Sequence, residues 1–225
     1  MPLYDAGLRR LNVSLDALEP ELFGRMNGRG YKPGMILQHI DHAVNAGFEV
    51  KVNMVVQRGV NESEIVPMAC YFKEKNITLR FIEFMDAGND NGWSYDKVVT
   101  KREILERLQS AFELEAQDHN YFGEVAKRYR YRGSSTEVGF ITSVSESFCS
   151  SCTRARLSSD GKLYTCLFAS DGFDLRAMIR SGASDQSLLA AIHNVWEQRS
   201  DRYSDERTAQ TAKNRTKIGM SYIGG

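Results

Sequence analysis

The sequence predicts an α/β protein in which parallel strand–helix units come first and a shorter-stranded, cysteine-bearing segment follows. Three observations predict it. Apolar, β-branched runs at 8–18, 48–60 and 77–86 are separated by amphipathic helical stretches. The pattern changes after residue 86 to a Gly/Asn/Asp loop and then to alternating segments. A hairpin signal, Asp160-Gly161, sits inside FCSSCTRARLSSDGKLYTCLF, which carries three cysteines. With 225 residues and 42% apolar content the chain can bury a substantial core, as one domain or one and a fraction.

LRRLNVSLDAL, residues 8–18, reads as a short strand leading into a polar turn at Ser14 and Asp16. A helix over 33–46 places Ile36, Leu37, Ile40, Ala43 and Val44 on one face, and Gly47 stops it. FEVKVNMVVQRGV, 48–60, is a second strand interrupted by Lys51 and Asn53; a helix over 62–75 follows, then a third strand over 77–86 with Arg80, Glu83 and Met85. Strands joined by helices of this length pair in parallel through right-handed crossovers, in a doubly wound sheet or part of a (β/α) barrel. Either arrangement gathers ligands at the carboxyl ends of strands, and Ser14, Lys51, Arg80 and Met85 all lie on or just after predicted strands. An internal-looking strand only about ten residues from Met1 predicts an exposed parallel edge.

Beyond the loop AGNDNGWSYDK, a helix is predicted over 101–112 with Ile104, Leu105 and Leu108 inward. AKRYRYRG and EVGFITSV predict antiparallel strands, with KRYRYR as a solvated face, and a last helix covers 185–199. Equal counts of 29 basic and 29 acidic residues supply no field for nucleic acid or an anionic membrane. No run approaches the roughly 20 apolar residues of a membrane span, and MPLYDAGLRR has no secretory core, which predicts a cytoplasmic protein. Four cysteines in a reducing compartment read as metal ligands, redox groups or fillers; Cys70, among Val66, Met68 and Phe72, reads as core.

Cys149, Cys152 and Cys166 form a C-x2-C-x13-C set. Three thiolates can hold an iron–sulfur cluster by three irons and leave the fourth open for a substrate. Zinc is the alternative, although structural zinc takes four protein ligands and His119 and His193 are distant in sequence. The hairpin at Asp160-Gly161 brings Cys166 back toward the other two thiols. Arg154 and Arg156 alternate on the expected strand and supply charge for an anionic ligand, or are solvent charges. Lys51 and Arg80 on parallel strands need a partner or a ligand. Taken alone, Met85 reads as packing, Ser14 as a turn or cap, and Gly224-Gly225 as a flexible end.

LNVSLDAL, FEVKVNMVV, LRFIEFMD, the cysteine segment with its RxR pair and the terminal SYIGG occur in the order found in one family. The chain resembles the later two-thirds of the GTP 3′,8-cyclases (molybdenum cofactor biosynthesis protein A), which are radical S-adenosylmethionine (SAM) enzymes. The resemblance implies an incomplete (β/α)6 barrel, of which residues 1–95 are the later units, and an α+β cluster- and GTP-binding domain over 96–225 ending in Gly-Gly. It further implies that Cys149, Cys152 and Cys166 hold a [4Fe–4S] cluster whose open iron meets the guanine of GTP. Arg154, the Ala155 backbone, Arg156 and Lys51 would contact GTP. Ser14 and Met85 would contact SAM. Arg80 would act near the nucleotide or intermediate, and Gly224 and Gly225 would thread into the active site.

The family's reaction cleaves SAM at a second, amino-terminal cluster to give a 5′-deoxyadenosyl radical, which takes the ribose 3′ hydrogen; the carbon radical then attacks C8 of the guanine. The product, (8S)-3′,8-cyclo-7,8-dihydroguanosine 5′-triphosphate, passes to the synthase of cyclic pyranopterin monophosphate, and the family often dimerises. The CxxxCxxC that binds the second cluster is absent from these 225 residues, so the isolated chain is expected to be a truncated form unable to start the radical. A non-catalytic GTP-binding iron–sulfur subunit and a zinc-stabilised scaffold are the alternatives from other classes.

Overall fold

The computed structural model describes residues 2–88 and 91–223, which fall into two compact units. The first holds residues up to Phe84 and Asp96–Glu146; the second holds Met85–Tyr95 and the residues from Ser147 on.

The first unit is a mixed α/β structure on a six-stranded sheet in the order β1 (Arg10–Ser14), β2 (Glu49–Val56), β3 (Thr78–Glu83), β6 (Glu137–Ile141), β5 (Ala126–Tyr131), β4 (Leu114–Gln117). The first four in that order are parallel neighbours, and β5 and β4 continue antiparallel. The predicted strands and helices are present with trimmed ends. β5 and β6 pair antiparallel as expected, but β6 also lies parallel beside β3, so the sheet runs past the division at residue 95 expected from the sequence. β1 forms one edge.

Parallel strands are commonly buried on both faces. Here burial alternates: Val50, Val52, Met54 and Val56 of β2 are buried while the intervening residues are not, and β3 repeats the pattern with Leu79 and Phe81. The apolar face packs against α3 (Pro33–Asn45), α4 (Ile65–Glu74) and α5 (Lys101–Gln109) through Ile40, Ile65, Met68, Phe72, Ile104 and Leu108. Rings of Phe81 and Phe140 stack at 6.0 Å, and Tyr129 meets Phe140 edge-on.

The helices start where the chemistry requires. Pro33 fits the first turn of α3, and Thr100 and Glu103 form a reciprocal capping box on α5. Two earlier helices, α1 (Pro2–Asp5) and α2 (Pro20–Asn27), were not predicted; Glu19 caps α2 by accepting from the Glu21 and Leu22 amides. Buried Glu83 ties the sheet to two loops, accepting from the amides of Lys101, Val144 and Ser145 at 2.8–2.9 Å. Cys70 is only half-buried on α4 rather than a full core filler.

The second unit has a three-stranded sheet of β7 (Arg156–Leu157), β8 (Lys162–Tyr164) and β9 (Phe173–Asp174). Its helices are α6 (Leu175–Arg180), α7 (Asp185–Glu197), α8 (Tyr203–Glu206) and α9 (Ala209–Asn214). The hairpin at Asp160-Gly161 is present: Gly161 has φ +83° and its amide donates to the Ser158 carbonyl. A Cβ at 161 would lie 2.7 Å from Arg176 Cβ, so glycine is required there twice over.

Candidate functional site

The solvent-side face of the first unit's sheet is polar. Register places Asn12 beside Lys51, Asn53 beside Arg80, and Arg80 beside Gly139, all on one face. Arg80 Nε donates to Asn53 Oδ1 at 2.9 Å and Nη2 to Asn12 Oδ1 at 2.6 Å. Its stem crosses Gly139, where a Cβ would come within 3.0 Å of Arg80 Cγ. Burial pulls the Arg80 pKa below the ordinary arginine value, opposed by Tyr121, Glu124 and Glu49, and the group stays charged. Lys51 Nζ pairs with Glu49 at 2.9 Å. Arg10, Lys51, Arg80 and Tyr121 line two hollows of about 310 and 640 Å³ over this face. Lys51 and Arg80 lie on their strands as expected, each as the third residue and so nearer the amino than the carboxyl end. Ser14, exposed, does close the carboxyl end of β1. Tyr121, in the loop between β4 and β5, carried no sequence signal beyond the adjacent aromatic pair Tyr121-Phe122 in a mostly polar stretch.

In the second unit the hairpin and a short 3-10 turn over Cys149–Ser151 assemble the thiols and arginines. None of the cysteines is in a disulfide. The Arg154 guanidinium donates to Cys152 Sγ at 3.2 Å and lies over the Phe148 ring at 4.8 Å. Burial would raise the Cys152 thiol, but the Arg154 amide and guanidinium, with help from Arg199, outweigh it and hold the pKa below the ordinary value. Burial pushes the Cys166 thiol up; the Phe168 amide, 3.4 Å from its sulfur, opposes, while Asp201, Cys149 and Cys152 add to the rise. Burial also lowers the Arg156 pKa, as does Arg154, against the pull of Cys166 and Cys152.

These couplings bring all three thiols and both arginines to one locality. Among the described residues no three His, Cys, Asp or Glu side chains close into a metal cage. The donor chemistry nevertheless fits an iron–sulfur cluster: three free thiols, two of them with N–H donors aimed at sulfur. β7 begins only at Arg156, so Arg154 is not on the strand and the two arginines do not alternate along it as expected. Neither has an ion-pair partner among the described residues, and Arg154 Nε is buried without an acceptor. Sequence reasoning missed Arg199, Asp201, Arg202 and Asp205, which act on the thiols from 33 or more residues away; Asp205 accepts from the Ser147 hydroxyl and from Arg202 Nε at 2.7 Å. Met85 opens the segment 85–95, and its carbonyl accepts from Asn91 at 2.8 Å. Gly224 and Gly225 lie outside the described residues. No described helix is long and apolar enough to cross a membrane.

The parallel-rich six-stranded sheet is consistent with a radical SAM-type fold, and the radical SAM superfamily profile matches residues 2–69. The chain belongs to the molybdenum cofactor synthesis C family, whose profile matches residues 77–205. It is similar to the GTP 3′,8-cyclase of Staphylococcus carnosus (strain TM300), at 58% identity over 99% of this chain and 66% of that protein. The GTP 3′,8-cyclases of Staphylococcus epidermidis (strain ATCC 12228 / FDA PCI 1200) and Staphylococcus aureus (strain Newman) match with the same identity and coverage. The chain thus spans about two-thirds of the length of these relatives.

Proposed function

We propose that this chain serves molybdenum cofactor biosynthesis as part of a GTP 3′,8-cyclase of the radical SAM type, contributing to the conversion of GTP to (8S)-3′,8-cyclo-7,8-dihydroguanosine 5′-triphosphate but not generating the radical by itself. The product then passes to cyclic pyranopterin monophosphate synthase, and the working form is a homodimer. In this reading residues 1–95 are the later units of an incomplete (β/α)6 barrel, and 96–225 form the cluster- and GTP-binding domain. The ligands of the family's second, amino-terminal [4Fe–4S] cluster are not among these 225 residues.

Cys149, Cys152 and Cys166 would hold a [4Fe–4S] cluster, which when bound would supply Lewis acidity toward the guanine. Arg154, the Ala155 backbone and Arg156 bind the nucleotide, and Lys51 adds a further cationic contact. Ser14 and Met85 bind SAM, Arg80 supplies charge near the nucleotide, and the Gly224-Gly225 tail enters the site. The protein's part is to bind, orient and exclude water while the cofactor chemistry proceeds.

The supporting observation is the arginine pair: two neighbouring guanidiniums beside the thiols, with no carboxylate partner among the described residues. Like charges held together in a part-buried place are costly until an anion arrives. Anaerobically prepared chain is expected to bind iron and sulfide rather than zinc, and to bind GTP by calorimetry. Arg156→Ala should weaken that binding about 10- to 100-fold, in line with loss of one charge-assisted contact. Iron-free or zinc-loaded protein, or unchanged GTP affinity in Arg154→Ala and Arg156→Ala, would sink this reading.

A further inference from the structure

We infer that Arg215 is a positioning residue for the thiol site: its single guanidinium holds the Asp86 carbonyl, next to Met85, and the Phe168 carbonyl, in the turn whose amide donates to Cys166 Sγ. Nη2 donates to the Asp86 carbonyl at 2.8 Å and Nη1 to the Phe168 carbonyl at 3.2 Å. These acceptors are 129 and 47 residues away in sequence, so one side chain fixes two segments that no local interaction joins. The Phe168 amide lies 3.4 Å from Cys166 Sγ. The residue also donates to its neighbour's carbonyl at Thr216 and lies over the Phe168 and Tyr203 rings.

Packing alone does not require an arginine here. The side chain is 11% exposed and its Nε is buried without an acceptor, a cost that an apolar residue of similar volume would avoid. The surroundings are built to hold it. Asp86, fully buried, accepts from Arg207 Nε at 2.9 Å and from the Tyr203 hydroxyl, and its carboxylate lies 4.0 Å from Arg215. Thr208 and Thr211 cap α9 reciprocally, and α9 delivers Arg215 at its carboxyl end.

This inference rests on the reading of Cys166 as a cluster ligand. An N–H aimed at a ligating sulfur draws charge from it and favours the reduced cluster, so a turn that holds the amide in place raises the potential. A loosened turn lowers it.

The test uses the anaerobically reconstituted 225-residue chain and reads iron content, thermal unfolding and midpoint potential by EPR-monitored titration for wild type, Arg215→Lys and Arg215→Gln. Both variants are expected to keep their iron and to fall in potential by up to about tenfold in the reduction equilibrium, about 59 mV for a one-electron couple. Lysine keeps the charge but not the two-armed fork. Unchanged potential in both variants overturns the inference, as does a fall in the glutamine variant alone, which would mean that charge and not positioning acts. A wild-type chain that binds no cluster overturns both this inference and the ligand assignment beneath it. If the variants lose iron, wild type labelled with nitrogen-15 phenylalanine decides. A hyperfine coupling to the cluster that vanishes in Phe168→Tyr, which keeps the amide but not the label, supports the placement, and its absence overturns it.

Discussion

Each of the two units is stabilised in its own interior by different means. The clustered apolar core, from Leu15 to Phe140, lies wholly within the first unit, and that unit's arginines Arg58, Arg128 and Arg132 face carboxylates. In the second unit the buried apolar residues are few, α7 buries none, and the interior is organised by Asp86, Arg207, Arg215 and three thiols. The contrast separates a scaffold that burial of apolar surface can stabilise alone from a segment whose order depends on polar and metal-binding groups.

The sharpest test of that contrast is a pair of truncations. Phe140→Ala, on a residue 1% exposed, is expected to cost about 3–5 kcal/mol in denaturant unfolding. In the second unit the comparable loss should come from charge: Asp86→Asn leaves Arg207 facing a neutral amide and is expected to cost about 3 kcal/mol. A loss under about 1 kcal/mol would break the comparison, since the buried node would then not be what holds the second unit.

A smaller effect separates the units by pH. Burial would raise the Glu103 carboxyl, but the Thr100 amide and hydroxyl and the Arg58 guanidinium overcome it and bring the pKa from 4.5 to about 2. A lowered folded-state pKa gives stability that is complete above pH 4.5 and is lost as pH falls toward 2. Glu103→Gln should remove about 1–2 kcal/mol at neutral pH and flatten the acid limb of the unfolding curve, allowing for solvent screening. A variant that keeps the wild-type acid slope would contradict this. The smallest effect is expected on α7, where Leu189 is 57% exposed: Leu189→Ala should change stability by no more than about 0.5 kcal/mol. A larger loss there would mean that the second unit has apolar cover which the truncation removes.

The same contrast explains what the sequence disclosed. α3 was legible because Ile36, Leu37, Ile40, Ala43 and Val44 repeat at helical spacing before Gly47, and the hairpin was legible because Asp160-Gly161 is a local turn signal. β4 was not: Leu114–Gln117 is a four-residue edge strand too short to show a period. The placement of β6 beside β3 is a pairing across more than 50 residues, which no window of local pattern contains. At the site, the cysteine spacing and the arginine pair stand in one short run. Arg199, Asp201, Asp205 and the Asp86–Arg207–Arg215 node are scattered charges, and only the fold makes them neighbours.

One small residue sets a condition on a large one. Arg80 reaches Asn12 and Asn53 by laying its methylenes across Gly139, and even a methyl group at that position would intrude on the path. Any larger residue at 139 would therefore oblige the Arg80 stem to give way by about a few tenths of an ångström for its guanidinium to stay spread over this sheet.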